Sequence, residues 1–405
     1  MTLTMLRTAA AGLLLVAGAA ARADAVSDWF EFAQAVEDAA RVPDAPFDVD
    51  TYCSGTRTAL AMFEAADSID RKYSSLLRVA AAPRDASIPI AVATAAHDVL
   101  AAAFPSQKAM IDDRYALALA GERDGAAKDA GIAAGHAAAA ATIRAGGLDP
   151  AASLTPYTPA GRPGQWLPTA FTSIDVHYPA MKPWFMPSAS AFRPGPPVAL
   201  DSPRWLKDID EVRRIGGKTS TERRPADTVL ARFWVQADQT SAYRVVAEQP
   251  GRSLVRNARF YAMLALAIDD MSIAVTEAKM HYGFWRPIQA IRAGGGNPAI
   301  QADPAWEPLL KTPLHPEYPC GHCIYAATVA TVLDAEGVPK AGLPFTSTKM
   351  PGVTVTVPTT ADFVRQDSFS RIAGGVHYRS TVEVSEAMGR KIAAYTLAKF
   401  ATPLN

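Results

Sequence analysis

The spacing of apolar residues predicts helices in the first third of the chain. From residue 26 to about residue 148, apolar side chains recur at intervals of three and four, as in Trp29, Phe30, Ala33 and Val36. This is the period of an amphipathic helix. Further helices are predicted over residues 58–73, 88–104, 106–119 and 125–144. The pattern therefore predicts an N-terminal helical region, residues 26–148.

Residues 149–203 have a different pattern, in which prolines are dense and aromatic residues lie between them. Proline at this density excludes a continuous helix. A disordered linker usually lacks aromatic residues, so we expect an ordered, irregular segment packed over the helices. It either walls the entrance to a site or is a surface excursion without a functional role.

Helical spacing returns in residues 204–405, most clearly over 227–236, 254–282 and 385–401. The apolar run 323–333 predicts a buried helix, and residues 353–357 alternate Val and Thr as a short strand would. The predicted fold class is mainly α, with helical bundles around a central site and long proline-rich loops.

The first 25 residues have the composition of a secretory signal peptide. Arg7 precedes an apolar core from Ala9 to Ala21, and Ala23-Asp24-Ala25 fits a cleavage site after Ala25. The core of about 13 residues is shorter than the ~20 that a membrane span needs. We therefore expect an exported protein, periplasmic or secreted, without a stable membrane anchor.

Composition excludes one class of partner. Lys plus Arg and Asp plus Glu each number 40, and 49% of the residues are hydrophobic. The chain can bury a large core, but it has no basic stripe of the kind that binds nucleic acid. The composition indicates no oligomeric state.

Residues 279–377 carry the candidate chemistry. Lys279, Arg286 and Arg371 are three cations suited to the oxygens of a tetrahedral oxyanion. Gly321 permits close approach of the backbone and lies where a helix is predicted to begin, a position that favours anions. Histidine next to such a site can act as nucleophile, ligand, or acid and base. The pattern predicts an enclosed site for phosphate or vanadate.

Three motifs carry a resemblance to a known superfamily. They are Lys279-x6-Arg286-Pro287, Pro319-Cys320-Gly321-His322 and Ser370-Arg371-x5-His377. Their order and spacing resemble the signature shared by vanadium-dependent haloperoxidases and type 2 phosphatidic acid phosphatases. The neighbourhood of Phe284-Trp285-Arg286-Pro287 resembles the haloperoxidases more closely, in particular their bacterial branch.

The resemblance implies roles for these residues. Lys279, Arg286 and Arg371 would form the anion cage, and Gly321 would offer its backbone N–H. His377 resembles the ligand of vanadate, and His322 the acid–base histidine. The cofactor would be vanadate and the substrates hydrogen peroxide and halide, with Lys279 polarising the peroxide.

Two other functions remain open at this point. In the phosphatase alternative, His377 attacks the phosphorus of a phosphomonoester to form a phosphohistidine, and His322 protonates the leaving group. In the second alternative, the chain is a non-catalytic exported helical protein whose anion site has decayed.

The sequence departs from the superfamily pattern in three places. Cys320 replaces the usual serine and is predicted to bind the anion in its place, although a thiol is a weaker donor than a hydroxyl. Thr381 stands where the phosphatases commonly have Asp, so Glu383 is predicted to orient His377. His315 resembles a position that is His in algal bromoperoxidases and favours bromide, although a surface histidine is the alternative.

The segment Cys320-Gly321-His322-Cys323 is also a C-x-x-C motif. A catalytic dithiol of the thioredoxin kind would need βαβ units before it, and the preceding chain is predicted to be helical. A structural or regulatory disulfide stays open, and Cys53 is expected to be unpaired.

Overall fold

The computed structural model describes residues 24–41, 49–147, 161–169 and 180–404. The described chain is mainly helical, as predicted. Its first five helices are α1 (Ala25–Ala40), α2 (Val49–Asp70), α3 (Ile88–Ala103), α4 (Lys108–Ala120) and α5 (Ala126–Ile143).

Small residues let α5 approach α3 very closely. A Cβ atom added at Gly135 would lie 2.5 Å from Cβ of Thr94, which no side chain tolerates. One added at Gly131 would lie 2.6 Å from the carbonyl oxygen of Ser87. The alanine- and glycine-rich sequence of α5 thus serves close helix packing against the α3 segment.

The second half of the chain contributes eight further helices among the described residues. They are α6 (Pro203–Gly216), α7 (Pro225–Trp234), α8 (Thr240–Ala247), α9 (Leu254–Tyr282), α10 (Pro287–Arg292), α11 (Gly321–Glu336), α12 (Thr360–Ala373) and α13 (Arg379–Lys399). The long helix α9 is buried along most of its length and packs against α2, α11 and α13. It therefore joins the N-terminal helices to the segments that carry the three motifs.

A small antiparallel sheet lies at the edge of the helices. Its strands are β1 (Ala237–Asp238), β2 (Leu343–Ser347) and β3 (Val355–Val357), in the order β1-β2-β3. The strand predicted within residues 353–357 is confirmed as β3, and its partner β2 was not predicted.

The described parts of the proline-rich segment pack on α9. The carboxylate of Asp270 accepts backbone N–H groups of Trp184 at 2.6 Å, Phe185 at 3.0 Å and Met186 at 3.2 Å. Asp269 accepts the indole N–H of Trp184 at 2.5 Å. The expected ordered, irregular conformation is found in residues 161–169 and 180–202. Residues 148–160 and 170–179 lie outside the described residues.

The predicted signal peptide lies outside the described residues up to residue 23. Asp24 caps α1 and is buried; its carboxylate accepts Ser27 Oγ at 2.6 Å and Asn257 Nδ2 at 3.0 Å. Cleavage after Ala25 would remove this cap. That boundary stays a prediction, and the packing of Asp24 disfavours it.

Within the described ranges, no single helix has the length and apolarity to cross a bilayer. One bent pair, Ile88–Ala103 with Pro105–Ala120, passes the same test of length and composition when the two are taken together.

Candidate active site

The fold brings the three motifs to one place. Lys279 lies in the last turn of α9, which ends at Gly283 with φ of 52°. Arg286 precedes α10, Arg371 lies in the last turn of α12, and His377 follows between α12 and α13. All four candidate side chains are buried, and the most exposed of them, Lys279, has only 4% of its surface exposed.

His377 is oriented by Glu317. Its Nδ1 lies 2.8 Å from Oε1 of Glu317, which is fully buried. The other carboxylate oxygen accepts the hydroxyl of Thr381 at 3.0 Å. With a proton on Nδ1, the lone pair of the imidazole stays on Nε2, the atom that can bind a metal or attack phosphorus.

The prediction that Glu383 orients His377 is wrong. Its side chain is exposed and bonds to Arg204 at 2.8 Å. Being six residues after His377, Glu383 lies in the second turn of α13, and it faces α6 rather than the site. Glu317 takes its place from the loop before α11, and the sequence signal for it was an acid within Pro316-Glu317-Tyr318-Pro319.

Arg286 is held by the backbone and two histidines. Its Nε donates to the carbonyl of His315 at 3.0 Å, and its Nη1 donates to the carbonyl of Val376 at 2.8 Å. The same Nη1 lies 3.0 Å from Nε2 of His377, and Nη2 lies 3.0 Å from Nδ1 of His315. Burial lowers the pKa of Arg286 to about 9. His315 therefore belongs to the site rather than to an open surface.

Lys279 fixes the loop before α11. Its ammonium donates to the carbonyls of Pro316 at 2.8 Å and Glu317 at 3.0 Å, and also to that of Pro319. Burial and the charge of Arg286 hold the pKa of Lys279 well below its usual range. All three ammonium donors are therefore used on the loop, and direct contact with an anion requires one of them to change partner.

Arg371 has unused donors. Its Nε and Nη1 are buried and have no hydrogen-bond partner within the part of the chain that the structure describes. Buried guanidinium donors are normally paired, so these two groups call for an acceptor. Burial lowers the pKa of Arg371 to about 10, and the nearby carboxylate of Asp367 opposes that shift. A tetrahedral oxyanion would supply such an acceptor.

His322 lies in the first turn of α11, beside open space. Its Nε2 is 3.4 Å from the carbonyl of Val235, and it lines a cavity of about 360 Å³ together with Gly321. A Cβ atom added at Gly321 would meet nothing within 4 Å. Burial and the charge of Arg371 lower the pKa of His322 to about 3, so its imidazole is neutral at neutral pH.

The cysteine question left open by the sequence is answered. Cys320 and Cys323 form a disulfide, and Cys53 is free and buried. Because a disulfide sulfur carries no proton, Cys320 has no side-chain donor for an anion, which corrects its predicted role. Its Sγ instead accepts the N–H of Cys323 at 3.3 Å and caps α11.

The residues present fit vanadate or phosphate. The described residues contain no group of three or more His, Cys, Asp or Glu that could hold a metal cation. An oxyanion needs no such group, since one histidine and several cationic donors hold it. The buried cations, the free donors of Arg371 and the lone pair of His377 make that set.

The fold and the C-terminal part of the sequence are similar to those of known proteins. Residues 259–405 match a family model described as the VCPO second helical-bundle domain. The whole fold is similar to that of a bacterial vanadium-dependent iodoperoxidase, with a TM-score of 0.72, 19% identity, and coverage of 94% of this chain and 96% of that chain. No curated protein matches the chain.

Two further solved structures share the fold. A holo-type bacterial vanadium-dependent chloroperoxidase gives a TM-score of 0.65 at 18% identity, covering 90% of this chain and 96% of that chain. The apo-type form gives 0.64 at 18% identity, covering 89% and 96%. The fold is thus that of the bacterial vanadium-dependent haloperoxidases. Residues 259–405 therefore match this domain family, and the fold is shared with bacterial vanadium-dependent haloperoxidases.

Proposed function

We propose that this chain is an exported vanadium-dependent haloperoxidase that oxidises halide, bromide in particular, with hydrogen peroxide. The observation that carries the proposal is the His377–Glu317 pair, joined at 2.8 Å and set among three buried cations. The three motifs and the shared fold support the same activity class.

His377 would hold the vanadium through Nε2. Glu317 keeps the proton on Nδ1 and fixes the plane of the ring, which makes Nε2 a better ligand. Arg286 Nη1, now 3.0 Å from this nitrogen, would donate to an oxygen of the oxyanion instead. When bound, vanadate supplies a Lewis acid that activates hydrogen peroxide without a change of oxidation state.

Arg371 and His322 would act on the other side of the anion. Arg371 would donate its two free N–H groups to oxyanion oxygens. His322, neutral at neutral pH, would take a proton from hydrogen peroxide once the charge of the bound anion offsets that of Arg371 and raises the pKa of the imidazole. Lys279 would contribute its charge and hold the loop that carries Glu317.

The proposed preference for bromide rests on His315. Its Nδ1 contacts Arg286, and burial together with the charges of Lys279 and Arg286 holds its pKa well below the usual range. A neutral imidazole at this place would give the halide a hydrogen-bond partner without adding another charge. Iodide, which is easier to oxidise, should also be turned over.

A phosphatase would use the same atoms. Nε2 of His377, freed by the bond from Nδ1 to Glu317, suits attack on phosphorus, and the cations would stabilise the equatorial oxygens. This alternative differs from the first in its need for vanadate, and the experiment is built on that difference.

The test is a paired assay on the purified chain. One arm contains orthovanadate, peroxide and bromide and follows bromination of a diketone reporter. The other omits vanadate and follows hydrolysis of p-nitrophenyl phosphate. We expect vanadate-dependent bromination that is lost in His377→Ala.

Other results would overturn the proposal. Hydrolysis that vanadate inhibits, without bromination, would assign the phosphatase activity. The absence of both bromination and hydrolysis, before and after thiol reduction, would leave the non-catalytic alternative.

A further inference from the structure

A groove between α7, α12 and α13 has the size of a small-molecule binding site. Its volume is about 590 Å³, within the range of known ligand pockets. Its floor is apolar and consists of Leu230, Val364, Phe369 and Val382. Neither Arg371 nor His377 lines it, so the groove is distinct from the candidate active site.

Cationic side chains surround this apolar floor. In the described chain they are Arg224, Arg365, Arg379 and Arg390. Each pairs with one carboxylate, and in order these are Asp227, Asp362, Glu211 and Glu386. In every pair the arginine is the more exposed partner, with 76% against 7% of the side chain exposed for Arg224 and Asp227. The groove therefore presents mainly guanidinium groups to solvent.

These guanidinium groups keep donors for a further acceptor. A guanidinium has five N–H groups. Arg379 gives two of them to Glu211, at 3.1 and 2.6 Å, and lies over the ring of Phe369 at 5.6 Å. Arg390 gives one, from Nη2 to Glu386 at 3.1 Å. Arg379 is thus fixed beside the apolar floor, which lowers the entropy cost of binding an anion there.

We propose that this groove binds a small amphipathic anion, an aryl or alkyl carboxylate, with its apolar body on the floor and its charge against the arginines. The body gains by leaving water, and the carboxylate matches the planar fork of a guanidinium. Each half of the ligand therefore has its counterpart in the groove. The proposal is independent of the reaction at His377.

Three ligands separate the two contributions. The first is 3-phenylpropanoate, 3-phenylpropanamide has the same body without the charge, and acetate has the charge without the body. Each is titrated into the purified full chain by ligand-observed NMR, with and without phosphate at constant ionic strength. We expect the carboxylate to bind about 5-fold more tightly than the amide, because its hydrogen bonds are charge-assisted. Acetate should show no binding at the same concentrations.

Salt dependence gives a second readout of the charge. Solvent-exposed charges are screened as ionic strength rises, and the Debye length falls to about 3 Å at 1 M salt. Added sodium chloride should therefore lower the affinity for the carboxylate toward that for the amide. The affinity for the amide should not fall.

Variants at exposed positions locate the site. Ala361→Trp places a large ring in the groove and should abolish binding of the carboxylate and the amide, whereas Ala116→Trp, the same change at an exposed position of α4, should keep both. Arg365→Met combined with Arg390→Met should bring the ratio of carboxylate to amide affinity to about one. Both arginines are more than half exposed, so the fold should tolerate their loss.

Three results would overturn the proposal. They are equal affinities of the unmodified chain for the carboxylate and the amide, unchanged carboxylate binding in Ala361→Trp, and displacement of the carboxylate by phosphate, which would assign it to the candidate anion site. If Ala361→Trp does not fold, the affinity ratio in the double arginine variant decides.

Discussion

At the scale of single residues, the site depends on a carboxylate that the motifs do not contain. Glu317 accepts from Nδ1 of His377 and from the hydroxyl of Thr381, at 2.8 and 3.0 Å. Burial raises its pKa to about 7, and the charges of Arg286 and Lys279 oppose that rise. The sequence predicted the histidine but not this partner, because the two are 60 residues apart and only the fold joins them.

Glu317→Gln should weaken binding of orthovanadate. The amide removes the charge that stabilises the Nδ1 proton, and an altered partner of a ligating histidine typically costs 10- to 100-fold in affinity. Titration with orthovanadate measures this. Glu383→Gln is the matched control and should bind as the unmodified chain does, because Glu383 is exposed and bonds to Arg204. The reverse order of the two variants would restore the role first predicted for Glu383.

The titration of His322 should depend on phosphate. Without an anion, burial and Arg371 hold its pKa at about 3, below the usual value, so it stays neutral as the pH falls from 7 to 4. The phosphate charge would offset that of Arg371 and raise this pKa into the measurable range. The His Cε1–H resonances, followed by NMR from pH 4 to 8 with and without phosphate, measure the change.

His97 is the internal control for that titration. Its pKa is raised by the hydrogen bond with Asp98, and it lies in α3 rather than at the site. Phosphate should leave its curve unchanged. Titration of His322 near its ordinary pKa in the absence of phosphate would contradict the prediction. The same pKa difference affects folding. Because the pKa of His322 is lower in the folded chain than in the unfolded chain, its contribution to the free energy of unfolding is lost as the pH falls from about 6.5 toward 3.

At the scale of elements, the sequence predicted strongly periodic helices well. The predicted range 254–282 is α9 as found, because apolar residues cover its whole length and Gly283 ends it in the left-handed region. Helix α12 was missed, since its sequence mixes buried polar and apolar residues and has no clear apolar stripe. Strand β2 was missed because Pro344 interrupts its alternation. The site was also predicted only in part. The cations and histidines were predicted because they lie in local sequence motifs, whereas their hydrogen-bond partners were not, because these come from distant loops.

Asp270→Asn should loosen the proline-rich segment from α9. The carboxylate accepts three successive N–H groups, from residues 184, 185 and 186, and an amide would turn its NH₂ toward some of these donors. We expect a loss of about 1–3 kcal/mol in the free energy of unfolding, measured with urea. Asp129→Asn, an exposed change on α5, should have little effect. Equal stability of the two variants would show that these bonds do not hold the segment.

At the scale of the whole molecule, the packed helices enclose one site at which buried cations outnumber buried acids. Lys279, Arg286 and Arg371 are nearly inaccessible to solvent, with Glu317 and Asp367 as the buried acids beside them. Buried charge costs stability unless it is paired. The ligand-free fold thus gives up stability that a bound oxyanion would restore.

Arg371→Met should restore the stability of the ligand-free chain and remove the stabilisation by a bound oxyanion. Without phosphate, its melting temperature should equal or exceed that of the unmodified chain, because a desolvated charge with two unpaired donors is gone. Added phosphate should raise the melting temperature of the unmodified chain but not that of the variant. Arg365→Met, on the same helix but exposed and paired with Asp362, should respond to phosphate normally. A destabilised Arg371→Met that keeps its full response to phosphate would refute this explanation.

The disulfide at the start of α11 also affects how the protein must be made. Cys320 and Cys323 flank Gly321 and His322, so the oxidation state of these two sulfurs affects the chemistry of the candidate anion site. Disulfides form in oxidising compartments and are rare in a reducing cytosol. A chain produced in the cytosol would carry two thiols there, with an S–H donor and a helix N-terminus that favours thiolate. Two preparations of one sequence, from an oxidising and a reducing host, would then be chemically different proteins at the sulfur atoms beside the candidate anion site.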